Sequence, residues 1–148
     1  MKRLYPDQPV VGVGAVIIKE GKIALIKRGN EPSKGKWTIP CGLVKLGENL
    51  EAAVIRETKE ETCLEVENPT LIGVVDNVDL DEQGKVKYHF VIIDYLVQVK
   101  TGTIQAASDA AELRWVHFSE VEDYYLTASF RAFFKQNREK LEKANSYG

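Results

Sequence analysis

Three glutamates lie within one stretch that has the periodicity of a helix. The stretch is Leu50–Thr62, and its acidic residues include Glu57, Glu60 and Glu61. At about 100° per residue, Glu57 and Glu61 fall in line with the apolar residues of the helix, and Glu60 lies at the edge of the same face. A run of charge is usually a solvated helix face. Here, however, two carboxylates continue the apolar stripe.

Carboxylates on a partly buried face need a counter-charge. Glu57 and Glu61 are four residues apart, so they repel each other and lose hydration together. One of them is expected to take up a proton unless a cation lies between them. Mg²⁺ prefers carboxylate oxygens and keeps several waters, and sites of this kind commonly bind substrate phosphates. The pattern therefore predicts a magnesium site.

Arg56 has two interpretations. It directly precedes Glu57 and lies four residues before Glu60. A surface ion pair of this kind contributes little stability. Alternatively, the guanidinium holds one carboxylate in place and ready to accept a proton. The sequence leaves both interpretations open.

The elements around this helix are predicted to be strands and loops. Residues 10–19 are rich in valine and isoleucine and predict a strand, and residues 22–28 predict its hairpin partner. Further along, we predict a loop at 29–35, a short extended segment at 37–39, a loop at 42–49, strands at 65–80 and 85–100, a strand at 112–118 and a helix at 127–143. The interleaving favours an α/β fold, an α/β/α sandwich around a central mixed β-sheet.

Composition limits the classes of protein. The 148 residues are 44% hydrophobic and 28% charged, which fits a single domain spanning 1–148. A net charge of −2 argues against a protein that grips nucleic acid. Two cysteines and two histidines do not supply a zinc set or a disulfide framework. Because no long apolar run is present, we expect no membrane span and a cytoplasmic location.

The glutamate helix and the loop before it resemble the Nudix box. That pattern reads Gly, five residues, Glu, seven residues, Arg-Glu, an aliphatic residue, any residue, Glu-Glu, any residue, Gly and an aliphatic residue. The matching positions are Gly42, Glu48, Arg56, Glu57, Glu60, Glu61 and Leu64. Outside the box, the resemblance covers roughly residues 10–120.

The resemblance implies a loop-helix-loop metal site in a Nudix-type α/β/α sandwich. Glu57, Glu60 and Glu61 would bind Mg²⁺, or Mn²⁺ as the alternative, with help from the backbone carbonyl of Gly42. Arg56 would orient Glu57. Glu48 would support the site. The reaction would be attack of water on phosphorus, with the metal neutralising charge and lowering the pKa of that water.

Four residues outside the box are further candidates. A third carboxylate from a distant loop often assists in this family, and Asp109 is the first candidate, with Glu112 second. Each of these acids is about as well explained as a solvated loop residue. Arg28 ends a strand and is a candidate for binding phosphate. Trp37 could stack on a base, although a tryptophan next to Pro40 is more often a packing residue.

The chain departs from the box at its glycines. Cys41 stands where the family usually has the first glycine of Pro-Gly-Gly, and Cys63 stands at the final glycine. A residue with a Cβ costs about 1 kcal/mol or more in the left-handed region, so the helix end at Cys63 is expected to be strained or differently closed. A Cys41–Cys63 redox pair is a minor hypothesis, because cytosolic cysteines are mostly free thiols.

An acidic run follows in the next predicted strand. Asp76, Asp79 and Asp81 could form a second metal region. The turn predicted at 81–84 explains part of this run without any ligand, since aspartate is favoured in turns.

Taken together, the residues and the resemblance predict a Mg²⁺-dependent pyrophosphohydrolase. The expected substrate is a small-molecule nucleoside diphosphate linked to another group, and ADP-ribose, cleaved to AMP and ribose 5-phosphate, is the first choice. The alternatives are a (d)NTP pyrophosphohydrolase that removes oxidised nucleotides and a nucleotide-binding sensor without turnover. Sensors usually lose box glutamates, which this chain keeps. The apolar strand content also permits a homodimer.

Overall fold

The computed structural model describes residues 2–107 and 110–148. Within them, the strands are β1 (Val10–Val16), β2 (Ile18–Lys19), β3 (Lys22–Arg28), β4 (Trp37–Thr38), β5 (Cys41–Leu43), β6 (Glu65–Leu80), β7 (Val86–Thr101) and β8 (Ala110–His117). The α-helices are α1 (Leu50–Thr62) and α2 (Ala128–Glu142), and a 3₁₀ helix covers Phe118–Asp123. The predicted helix at 50–62 and the predicted strand pair in the middle of the chain are therefore confirmed.

The strands form a mixed sheet and a second, antiparallel sheet. The mixed sheet has the order β5-β1-β7-β6, and β1 runs parallel to β7 with Gly12 opposite Ile92. In the second sheet, β3 pairs antiparallel with β2, β4 and β8. The central mixed sheet was predicted. The single strand predicted at 10–19 is instead divided at Ile17, so that β1 and β2 lie in different sheets.

One predicted loop contains a strand. Residues 42–49 were expected to be a loop, but β5 pairs with β1, with Gly14 opposite Cys41 and Gly12 opposite Leu43. The pairing partner is about thirty residues away in sequence, so local composition gives no sign of it. This short edge strand places Gly42 next to α1, where it contacts Glu57.

The first helix packs on the mixed sheet through its predicted apolar face. Ala53 and Val54 are buried in a cluster with Val13, Ala15 and Tyr95. The helix begins at Asn49, whose side-chain oxygen accepts a hydrogen bond from the Ala52 N–H at 2.8 Å. It ends at Cys63, whose φ of 65° is left-handed, so of the two expected outcomes, a strained end or a different closure, the structure has the strained end.

The second helix closes the core on the other side. Thr127 caps it by accepting a hydrogen bond from the Phe130 N–H at 3.2 Å. Phe130, Phe133 and Phe134 are buried between this helix and both sheets, because they recur at helical spacing on one face. Among the described residues, no helix combines the length and apolar character needed to cross a membrane.

Candidate active site

Arg56 joins the acidic residues of α1 to the loop before it. Its Nε and Nη2 donate to both carboxylate oxygens of Glu48, at 2.7 and 2.9 Å. Its Nη1 donates to Glu57 at 2.7 Å and to Glu60 at 3.2 Å, and Nη2 also reaches the carbonyl oxygen of Leu43 at 3.0 Å. Hydrogen bonds from the Arg56 side chain, and another from the Lys45 backbone N–H, lower the pKa of Glu48 to about 2.

Glu57 lies directly against the backbone of β5. A Cβ added at Gly42 would fall on the Glu57 carboxyl group, so only glycine allows this approach. Burial raises the pKa of Glu57, and the Arg56 guanidinium opposes that rise. The carboxylate is thus partly desolvated and held between the backbone of one element and the arginine of another.

Glu61 is held from the same strand. It is 5% exposed, and its Oε1 accepts a hydrogen bond from the Cys41 N–H at 2.7 Å. A carboxylate that accepts a backbone N–H is fixed in orientation as well as stabilised. Two neighbouring residues of β5, Cys41 and Gly42, therefore position Glu61 and Glu57 respectively.

These glutamates open into a cleft of about 390 Å³. The lining comes from α1, β1, β5, β6 and β7, from the loop after β3, and from the first turn of α2. Arg3, Arg28 and Lys36 add positive charge to the same cleft. Arg28 is oriented by donating to the carbonyl oxygen of Pro32 at 2.7 Å, and its Nη1 lies 3.9 Å from the Cys41 sulfur. A cleft that contains both carboxylates and cations suits a phosphate-containing ligand and a divalent ion.

The carboxylates of Glu57 and Glu61 fit a Mg²⁺ ion whose other coordination positions are filled by waters and substrate phosphates. Among residues 2–107 and 110–148, no three His, Cys, Asp or Glu side chains lie together in a way that could hold a metal ion. Mg²⁺ does not require such a cage, since it is usually held by one or two carboxylates together with waters and substrate phosphates. Glu57 and Glu61 supply those two carboxylates on the cleft wall. Glu60 is half-exposed, is paired with Arg56 and does not line the cleft.

Of the predicted site residues outside the box, one lines the cleft and two do not. Arg28 lines the cleft, as expected. Trp37 does not line it: the indole is 8% exposed and packs edge-on against Tyr124 at 5.2 Å, which favours the packing interpretation. Glu112 pairs with Arg114 at 3.1 Å and is not part of the cleft lining. Asp109 lies outside the described residues.

Several cleft residues were not found by sequence reasoning. Arg3 and Lys36 are cations in segments without periodicity, and Thr127 was expected only as the first residue of the predicted helix at 127–143. Asn77 and Asp79 project into the cleft from β6. The signal for the last two was their spacing of two in a long strand, which places both side chains on one face.

The acidic run in β6 is not a metal site. Asp76 is exposed, and its position in the strand places it on the face opposite Asp79. Asp81 belongs to the turn, where it accepts hydrogen bonds from the N–H groups of Gln83 and Lys85 and from the hydroxyl of Tyr5. The three acids therefore have three separate environments, and the hypothesis of a second metal region is wrong for these residues.

A buried carboxyl group lies below the cleft. Asp94 in β7 is 2% exposed, and a Cβ added at Gly14 would collide with it. Desolvation raises the pKa of Asp94 to about 7. Gly14 is thus required by the side chain next to it in the sheet.

The cysteines that replace box glycines are both free thiols. Cys41 receives the contact from Arg28, and Cys63 accepts a hydrogen bond from Gln105 Nε2 at 3.4 Å. The redox pairing is therefore not present in this structure. Burial raises the pKa of Cys41 to about 12, so its thiol is a poor nucleophile.

This arrangement, a mixed sheet with a glutamate helix whose arginine organises the acids, agrees with a match to a family model. The model of the NUDIX domain matches residues 8–136. The chain belongs to the Nudix family.

The chain is similar to individual proteins of this family in both sequence and structure. The ADP-ribose pyrophosphatase of Methanocaldococcus jannaschii is 43% identical over 110 residues, which are 74% of this chain and 62% of that protein. A MutT NUDIX hydrolase from Burkholderia pseudomallei has a similar structure, with a TM-score of 0.75 and 35% identity over 88% of this chain and 98% of the other. A MutT protein from Methanosarcina mazei Go1 gives a TM-score of 0.75 at 26% identity, covering 91% and 98% of the two chains.

Proposed function

We propose that this protein hydrolyses a phosphoanhydride bond in a nucleoside diphosphate derivative, with ADP-ribose cleaved to AMP and ribose 5-phosphate. The observation that carries the proposal is the position of two partly desolvated glutamates, Glu57 and Glu61, in the same cleft as Arg28. Glu61 accepts a hydrogen bond from the backbone of β5, and Glu57 is held by Arg56 of its own helix and packs against Gly42 of β5. Such preorganisation is what charge stabilisation during phosphoryl transfer requires.

A divalent ion would be held by Glu57 and Glu61, with the carbonyl oxygen of Gly42 and the half-exposed Glu60 as further ligands. When bound, Mg²⁺ or Mn²⁺ would neutralise charge on phosphate oxygens and lower the pKa of the attacking water. Arg56 would keep Glu57 ionised and oriented. Glu48 would hold Arg56 in turn, since its two oxygens accept from Nε and Nη2.

The phosphates would lie between the metal site and the cationic side of the cleft. Arg28 is suited to this role because the carbonyl oxygen of Pro32 orients its guanidinium. Lys36 lines the same region and adds a second positive charge. Asp109 stays a candidate for the assisting carboxylate of a distant loop.

The choice of ADP-ribose is supported by the 43% identical relative, which is an ADP-ribose pyrophosphatase. The cleft supports it as well, because about 390 Å³ is a volume typical of a site for a small ligand of nucleotide size. A (d)NTP pyrophosphohydrolase would use the same metal site with a different leaving group.

The experiment is product analysis with ADP-ribose, NADH, a diadenosine polyphosphate and dNTPs, with and without Mg²⁺. We expect AMP from ADP-ribose only when the metal is present. Glu57→Gln and Glu61→Gln should each lower kcat by orders of magnitude, and Glu51→Gln, on the exposed face of the same helix, should not. Binding without product from any substrate would indicate a sensor, and preferred cleavage of dNTPs would replace the substrate assignment.

A homodimer is the proposed assembly, formed through the outer face of β6. Leu71, Val74, Val78 and Leu80 are each about half-exposed, at 48–59%. Three of them alternate with cleft-lining residues, so they share the face that points away from the cleft. An apolar face on an edge strand is a common contact between chains. Light scattering should give a dimer mass, and Val78→Lys should give a monomer; an unchanged monomer mass for both proteins would rule the assembly out.

A further inference from the structure

The β6 wall of the cleft carries one hydrogen-bond donor and one acceptor next to each other. Asn77 and Asp79 both line the cleft, and Asn77 Nδ2 lies 3.4 Å from Asp79 Oδ2. Because a carboxylate only accepts, this contact fixes the amide nitrogen of Asn77 on the side of Asp79. An amide nitrogen has two hydrogens, so the second one can bond to an acceptor on a ligand. The wall thus presents an N–H beside a carboxylate.

This wall lies far from the glutamates. Gly42 and Asn77 are on the two edge strands of the mixed sheet, with β1 and β7 between them. The registers Gly42–Val13, Val13–Ile93 and Ile93–Val74 place Asn77 three residues further along β6. With standard strand spacings, the two backbones are roughly 17 Å apart. If the diphosphate of a nucleoside diphosphate derivative binds at the glutamates, the sugar on one phosphate is too short to reach Asn77. The nucleoside on the other phosphate is longer, and we expect its base to reach Asn77.

The floor between the two ends is apolar. Phe90 and Ile92 of β7 line the cleft between the glutamates and the β6 wall. The Phe90 ring is largely buried and stacks with Tyr88 at 6.0 Å, so its position is fixed. An aromatic floor next to a paired donor and acceptor is the environment that suits a nucleobase.

We propose that Asn77 and Asp79 read the base of the substrate and select adenine through its amino group. Adenine presents a ring-nitrogen acceptor beside an amino donor, which complements the N–H of Asn77 and the carboxylate of Asp79. Hypoxanthine presents a carbonyl oxygen in place of the amino group, and that oxygen would face the Asp79 carboxylate. The assignment rests on the proposed hydrolysis of nucleoside diphosphate derivatives and adds the specificity for the base.

The test compares adenine with hypoxanthine in both turnover and binding. Wild-type protein should have a kcat/KM for ADP-ribose about tenfold or more above that for the hypoxanthine analogue IDP-ribose, because one analogue pairs with the carboxylate and the other is repelled by it. Asp79→Asn can donate to the carbonyl oxygen and should remove or reverse the preference. Asp79→Ala should remove it.

Asp123→Asn is the control, since Asp123 is exposed and is not part of the cleft lining, and it should keep the wild-type preference. Calorimetric binding of ADP and IDP is measured in parallel and does not depend on turnover. Absence of hydrolysis with a retained ADP preference that Asp79→Asn abolishes would defeat the proposed function alone. Equal affinities for ADP and IDP, or a preference that survives Asp79→Asn, would overturn the base assignment.

Discussion

The carboxyl group of Glu57 occupies the space that a side chain at Gly42 would need. The two residues belong to different elements, since Glu57 is in α1 and Gly42 is in the edge strand β5. Their contact places the glutamate at the cleft wall with the strand behind it. The glycine of the box is thus a steric requirement of the glutamate, in addition to its proposed role through the carbonyl oxygen.

Gly42→Ala should therefore displace Glu57. We expect turnover to fall about a hundredfold, because a shift of roughly 1 Å in a positioned group has an effect of that size. The free energy of unfolding should fall by about 1–3 kcal/mol from overpacking. Steady-state kinetics and thermal unfolding measure the two effects. In a Glu57→Gln background the same substitution should cause little further loss of kcat, and a full additional loss there would show that Gly42 acts independently of Glu57.

Arg56→Lys tests the network around the acids. Lysine keeps the positive charge but cannot donate to both oxygens of Glu48 while reaching Glu57. We expect kcat/KM to fall about tenfold or more and the Mg²⁺ dependence to move to higher concentration, as is typical when a residue that orients metal ligands is changed. Arg138→Lys, in a surface pair with Glu142, is the control and should leave both unchanged. Wild-type kinetics in the Arg56 variant would reduce its role to a surface ion pair.

Asp94 should make stability depend on pH. Its pKa is about 7 in the folded protein against an ordinary value of 3.8, so between these two pH values the folded chain binds the extra proton. Stability is then lost as pH rises from about 4 through 7, at about 1.4 kcal/mol for each unit of pKa difference. Asp94→Asn removes this loss. Its melting temperature should exceed that of the wild type at pH 8, with a smaller difference at pH 5.

The control for that comparison is Asp123→Asn, because Asp123 is exposed and this variant should show the wild-type dependence. Glu48 acts in a separate window: its pKa is lowered to about 2, so its contribution is present above pH 4.5 and lost as pH falls toward 2. A difference between wild type and Asp94→Asn that stays constant from pH 5 to 8 would contradict the assignment.

Cys63→Gly should stabilise the protein. The residue has φ 65°, where a side chain with a Cβ costs about 1 kcal/mol or more. Glycine removes this strain, and the greater freedom of the unfolded glycine offsets part of the gain. We expect a rise in the free energy of unfolding of under about 1 kcal/mol, measured by denaturant titration, with unchanged kcat. Cys63→Ala keeps a Cβ and should give no such gain; equal stabilisation by both variants would place the effect in the thiol.

The sequence by itself determined the position and periodicity of the glutamate helix. Because an apolar stripe with a period of 3.6 residues must be buried, the inward direction of Glu57 and Glu61 followed from the pattern in 50–62. The strain expected at the helix end followed from the cysteine at position 63, where the family pattern has glycine. These are local properties, and local sequence carries them.

Tertiary structure decided which residues share the cleft. The pairing of β5 with β1 brings Cys41 and Gly42 to the glutamates, and it depends on a strand about thirty residues away. In the same way, Asn77 and Asp79 reach the site only because β6 lies at the far edge of the sheet. Trp37, for which the sequence already favoured packing over a base contact, lies in the core against Tyr124. Strand register and core packing are set by contacts between distant segments, so no window of sequence specifies them.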